Sequence, residues 1–278
     1  MADWPLIGGG QKYDTYLMRT GTSDGTPITV ASTNTKGSWI TVVDPVPYHT
    51  VGLIVNVRQS VAGSPSHLVD LGVSTTGGTS NMRVVVPDLL FSSRLGHPSA
   101  QWIPITIPVG TRLNVRCQST STTNIPQVAV TLIGGTFAGG PTYSNMLAYG
   151  VDTSDSGGTS IDPGGTTAHT KPASYTTIAA STTSPAKWML VAFTAHADSG
   201  LTDCSWLVDI ATGAASSEVV LIPDILVGAQ TASDVVTPQL LGPIPVDVPV
   251  GTRLSARCQC SIITASDRLL DVAIYTLG

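Results

Sequence analysis

Charge is scarce in this sequence. Its 278 residues include 13 lysines and arginines and 18 aspartates and glutamates, 11% of the chain, where a globular protein typically carries about a quarter. The only glutamate is Glu218, so the paired carboxylates that glycoside hydrolysis needs have few candidates. The net charge of −5 comes with few lysines and no basic stripe, which removes the electrostatic footprint of nucleic-acid binding. No apolar run reaches the ~18 residues of a membrane-spanning helix. The opening Met1-Ala2-Asp3-Trp4-Pro5 has neither the basic nor the apolar region of a signal peptide, so synthesis in a cytoplasm is expected. Aromatic residues are 5% of the chain. Trp39, Trp102, Trp188 and Trp206 are spread out rather than grouped, which weighs against a sugar-binding platform.

Catalytic patterns are also missing. None of His49, His67, His97, His169 and His196 has a partner at metal-ligand spacing, and no Gly-x-Ser-x-Gly elbow occurs. Asp152, Asp155 and Asp162 share a Gly/Ser/Thr loop, where oxygen ligation of calcium competes with the simpler reading of Asx turns. Cys117, Cys204, Cys258 and Cys260 lack the paired CxxC spacing of a zinc site and are expected as small buried thiols. No catalytic residue, metal or cofactor is expected, and the chain reads as non-enzymatic.

What the chain has in quantity is Gly, Pro, Ser, Thr and Val, the composition of an all-β protein with many turns. It also has a long repeat. Pro108-Val109-Gly110-Thr111-Arg112-Leu113-Asn114-Val115-Arg116-Cys117-Gln118 returns as Pro249-Val250-Gly251-Thr252-Arg253-Leu254-Ser255-Ala256-Arg257-Cys258-Gln259. One long repeat at half the chain length means two copies of one domain. Each copy reads as a turn at Val-Gly followed by a half-buried strand. Leu113, Val115 and Cys117 take the inward parity, while Arg112, Asn114, Arg116 and Gln118 take the outward one. Other marks recur in the same order, such as Val86-Pro87-Asp88-Leu89-Leu90 and Ile222-Pro223-Asp224-Ile225-Leu226. The expected fold is two tandem antiparallel β-sandwich, jelly-roll-like domains from an internal duplication. They follow an N-terminal arm at 1–12 and occupy 13–135 and 143–278. Pro87-Asp88 and Pro223-Asp224 are each expected to open a single helical turn. Trp39, matched by Tyr175, is expected in the core.

Two features suggest contacts with other subunits. Trp4, Leu6 and Ile7 precede Gly8-Gly9-Gly10, an apolar tetrapeptide region on a flexible hinge suited to docking on a neighbour. Arg112, Arg116, Arg253 and Arg257 form an outward row kept in both copies, suited to inter-subunit or inter-domain contacts through guanidinium forks, the alternative being a solvated row that guards the strand against aggregation.

The signature Pro-x-Gly-Thr-Arg-Leu-x-x-Arg-Cys-Gln is preceded by alternating Ile-Pro-Ile-Thr-Ile-Pro and closed by Val-Ala-Val or Val-Ala-Ile. It resembles repeats in structural proteins of tailed bacteriophages and gene transfer agents, of the head-decoration and head-spike-base type. The resemblance covers both halves. It implies a virion component that forms homo-oligomers, docks on capsid or neck proteins, and carries a fibre protein or touches a host surface glycan. It brings no catalytic residues. The alternative is a receptor- or carbohydrate-binding module of a phage fibre or tail, using loops such as 59–67 and 150–172.

Overall fold

The computed structural model describes residues 12–16, 25–59, 66–75, 81–92, 99–123, 125–134, 143–164, 167–196, 203–230, 235–264 and 268–278. Trp4, Leu6 and Ile7 lie outside these. The described residues form twenty β-strands and no helix. The first half contributes β1 (Lys12–Tyr16), β2 (Thr26–Pro27), β3 (Ile40–Val43), β4 (Thr50–Gln59), β5 (Ser66–Ser74), β6 (Arg83–Ser92), β7 (Ser99–Ile103), β8 (Arg112–Ser119) and β9 (Pro126–Gly134). The second contributes β10 (Leu147–Tyr149), β11 (Val151–Asp152), β12 (Gly157–Ile161), β13 (Thr176–Ala179), β14 (Ala186–Ala195), β15 (Cys204–Thr212), β16 (Val219–Gln230), β17 (Val235–Thr237), β18 (Leu240–Val248), β19 (Leu254–Cys260) and β20 (Leu270–Leu277).

Each half is a pair of antiparallel sheets. In the first half the orders are β1-β9-β4-β7 and β3-β8-β5-β6. In the second they are β12-β20-β14-β18 and β13-β19-β15-β16, with β10, β11 and β17 as short additions. Taking the eight principal strands of each half in chain order, both halves read 1-8-3-6 and 2-7-4-5, the alternation of a jelly roll.

The signature stretch does the same job twice. Gly110 and Gly251 have φ of 78° and 81°, and a Cβ at either would meet nothing, so backbone handedness rather than space selects glycine. The hydroxyls of Thr111 and Thr252 donate to the carbonyls of Pro108 and Pro249 at 2.7 Å. The glycine N–H groups donate to Val46 and Thr182. Leu113, Val115, Cys117, Leu254, Ala256 and Cys258 then enter the cores. The outward parity is less solvated than its polarity suggests: Asn114 and Gln118 are also buried.

The anticipated helical turns at Pro87-Asp88 and Pro223-Asp224 do not form. Both prolines lie inside strands, and Asp88 and Asp224 take positive φ of 48° and 51°. The β5–β6 and β15–β16 registers shift at these points, making a bulge in each. Proline has no ladder hydrogen to give, and a bulge on an edge strand is where that loss is tolerated.

The two sandwiches share apolar packing. Along β14, Met189, Val191 and Phe193 enter the second core, while Leu190 and Ala192 join the core of the first half. On β20, Val272 and Ile274 face the second core, whereas Ala273, Tyr275 and Leu277 face the first. Tyr275 is fully buried. Its hydroxyl donates to the Asp88 carbonyl at 2.7 Å and accepts the Leu90 N–H at 2.8 Å. Burial pushes its pKa far above the ordinary tyrosine value, so it stays a donor throughout. Met146 N–H covers the Val85 carbonyl at 3.0 Å, closing the outer edge of β6 further along.

Tyr275→Phe keeps the ring and removes both bonds, leaving two backbone groups without a partner. A loss of about 1–3 kcal/mol in unfolding free energy is expected from denaturant titration. An unchanged midpoint would mean that the hydroxyl does not hold the junction.

Candidate functional site

The four signature arginines are engaged within the chain. Asp70, 3% exposed, accepts from Lys36 at 2.7 Å, from Arg116 at 2.8 Å and from the Asp88 N–H at 2.8 Å. Lys36 also pairs with Asp88 at 2.6 Å, and the Arg116 guanidinium lies 4.5 Å over the Trp39 ring. The second half repeats each part. Asp209 accepts from Lys171 at 2.5 Å, from Arg257 at 3.0 Å and from the Asp224 N–H at 3.1 Å. Lys171 reaches Asp224, and Arg257 lies 4.5 Å over Tyr175. Arg112 pairs with Asp44, and Arg253 with Glu218 at 2.9 Å. Trp39 is therefore not a core residue. It lies half-buried against Gly72, where a Cβ would come within 2.8 Å of its ring. The lysines were the missed partners; their signal was a position three or four residues before the matched aromatics Trp39 and Tyr175.

The residue types that carry chemistry are taken up in similar ways. Asp152 accepts from the N–H and hydroxyl of Ser154, and Asp162 from the Gly164 N–H, as Asx turns. Asp155, which accepts the Gly157 N–H in the same way, also approaches His196 and Asp271, and one ligand atom from each lies within 4.8 Å of the others. That grouping was hidden in the sequence because its members are far apart in the chain. The His196 Nδ1 sits 2.9 Å from Asp271 Oδ1, while Asp271 Oδ2 and Asp155 Oδ1 accept the N–H groups of Gly158 and Gly157. Two carboxylates and an imidazole could hold a divalent cation here. Burial pushes the His67 pKa down to about 3, so His67 is neutral. All four cysteines are free and buried. Burial pushes Cys117 up to about 12. A hydrogen bond from Cys204, the largest influence, brings Cys260 down to about 7. His97 is outside the described residues.

One surface stands apart. β16 reads Val219-Val220-Leu221-Ile222-Pro223-Asp224-Ile225-Leu226-Val227 and is apolar on both faces. Ile225 and Val227 are buried, yet Val219 is 67%, Val220 38% and Leu226 64% exposed. β17 pairs only with Gly228, Ala229 and Gln230, so 219–227 is an open edge among the described residues. Burying what Val219, Val220 and Leu226 still expose would contribute roughly 2.5–5 kcal/mol in all. That only touches the lower end of what rigid-body association costs, so the surface suits an assembly held at several points.

Of the two loops singled out for ligand binding, most of 59–67 lies outside the described residues, and 150–172 is partly docked. Gln118 donates to the Thr153 carbonyl and the Ser156 hydroxyl at 2.9 and 3.1 Å. Asn34 donates to the Ser154 carbonyl and accepts from Ser156. Residues 153–156 thus belong to the junction between the sandwiches. Among the described tryptophans, Trp206 is buried and Trp39, Trp102 and Trp188 are half-buried, so none stands out as a sugar platform.

No protein-family model matches the sequence, and no curated protein is significantly similar to it. A solved structure of PNGF-II superposes with a TM-score of 0.42 at 9% identity, covering 96% of this chain and 65% of that one. The chain thus spans about two thirds of the length of that protein. The tandem CBM22-1–CBM22-2 domain of Paenibacillus barcinonensis Xyn10C superposes with a TM-score of 0.25 at 10% identity, covering 96% and 91%. Superpositions this loose carry no argument about function.

Two carboxylates should respond oppositely to pH. Burial alone would raise Asp209, but hydrogen bonds from Lys171, the Asp224 backbone and Arg257 outweigh it and hold the pKa below the ordinary value. Its contribution is therefore full above the unfolded pKa and lost as pH falls through the folded one. Asp209→Asn should cost about 3 kcal/mol at neutral pH, and the gap should close in acid. Asp155 is raised, first by burial and then by repulsion from Asp152 and Asp271. Its ionisation opposes folding, so Asp155→Asn should stabilise the protein at neutral pH in chelator, with the gain vanishing in acid. Thermal unfolding across pH checks both signs.

Proposed function

We propose that the chain is a non-enzymatic structural protein of a tailed phage or phage-like particle, a head decoration or head spike/fibre-base component. It associates with copies of itself and docks on capsid or neck proteins, with a fibre protein or a host surface glycan as a further partner. The observation that supports this most is the open apolar edge of β16, a surface suited to another protein rather than to a small substrate. The two-copy signature, by its resemblance to head-associated repeats, supports the particle. The internal use of most charged groups is in keeping with a scaffold role. The carbohydrate-binding alternative draws less support, because residues 153–156 of its candidate loop are docked on the first sandwich.

The test is the mass of the purified protein by light scattering, with and without residues 1–10, followed by co-sedimentation with empty tailed-phage heads. The expected result is a defined oligomer that binds heads and dissociates on truncation. A protein that is monomeric in both forms and stays in the supernatant would overturn the reading.

A further inference from the structure

The internal junction shows what covers this kind of strand. β6 and β16 occupy the same place in their sandwiches and share the motif Pro-Asp with its left-handed aspartate. In the first sandwich the strand is covered: Leu90 is fully buried. Its N–H and the Asp88 carbonyl meet the Tyr275 hydroxyl. What covers it is the outer face of the β14–β20 sheet. In the second sandwich the matching residue is Leu226, 64% exposed. By the same geometry, the bulge there turns the Leu226 N–H and the Asp224 carbonyl toward the open edge.

The first sandwich carries the counterpart of the covering face. Registers equate Leu190–Tyr275 with Ile54–Thr131, and Ala192–Ala273 with Asn56–Ala129. Ile54, Asn56, Ala129 and Thr131 are half-buried, a face more polar at Asn56 than its counterpart, whereas Leu190, Ala192, Ala273 and Tyr275 are sealed in the junction. Trp102 extends this face by lying over Gly52, where a Cβ would fall within 1.8 Å of its ring.

We infer that β16 of one copy docks on the outer β4–β9 face of a second copy, repeating between chains the contact that joins the two sandwiches within each chain. The contact is heterologous: each chain gives one surface and receives on the other, so it closes as a ring or grows as a fibre. This rests on the assembly reading above and commits it to two named surfaces. Thr131 stands where Tyr275 stands inside the chain, so in the proposed contact it is the residue set opposite the Asp224 bulge.

The experiment uses the full chain. Leu226→Asp, at an exposed position, and Ile54→Lys, on the opposite surface, are each run by light scattering beside the wild type, with unfolding midpoints as a fold check. Wild type should oligomerise, and each variant alone should associate about tenfold or more weakly. The two variants mixed should give a one-to-one dimer, since each keeps one intact surface. The double variant Leu226→Cys/Thr131→Cys should form a ladder of disulfide-linked chains on oxidation. The inference falls if wild type is monomeric, if Leu226→Asp keeps the wild-type mass, or if the mixture fails to pair and the cysteine variant gives no ladder. An oligomer indifferent to Leu226→Asp overturns these surfaces while leaving the assembly reading standing. Correct pairing without binding to phage heads does the reverse.

Discussion

A carboxylate on the sheet face holds each sandwich in the shape that everything else requires. Asp70 and Asp209 each receive a lysine, an arginine and a backbone N–H. Two cations on one nearly buried acid offset the desolvation that a single pair would leave uncovered. The backbone N–H belongs to the bulge residue, so the same acid also fixes an aspartate in a left-handed conformation. That bulge turns two backbone groups out of the ladder. In the first sandwich they meet Tyr275, and the position of the second sandwich follows.

The strands and the signature turn were readable because they rest on local chemistry: a glycine needing positive φ and alternation of apolar residues. The arginine row was read as outward; its partners within the chain, Asp70, Asp209, Asp44 and Glu218, lie on other strands and loops and so left no trace beside it in the sequence. The helical turns at Pro87 and Pro223 were misread because a Pro-Asp pair signals a turn locally, and only the ladder on either side makes it a bulge. The docking arm at Trp4, Leu6 and Ile7 falls outside the described residues.

The junction could have been suspected from composition by strand. β4 carries Asn56 and Arg58 on its outer parity, while its counterpart β14 runs Met189-Leu190-Val191-Ala192-Phe193 without a polar break. A strand apolar on both parities is covered on both faces. The Asp155, His196 and Asp271 grouping had no comparable trace, since its members come from a turn, a strand end and the last strand.

The shared packing between the sandwiches has a consequence for synthesis. The first sandwich is complete at residue 134, but β20 begins at residue 270. At translation rates of about 5–20 residues per second, it waits roughly seven to twenty-seven seconds with the Leu90 N–H and the Asp88 carbonyl unmet by Tyr275. On a crowded polysome a finished neighbour can supply β20 first. The resulting exchange would be a domain swap, joined by the same tyrosine and the same two backbone groups, so the correct and the exchanged products differ only in which chain arrived in time.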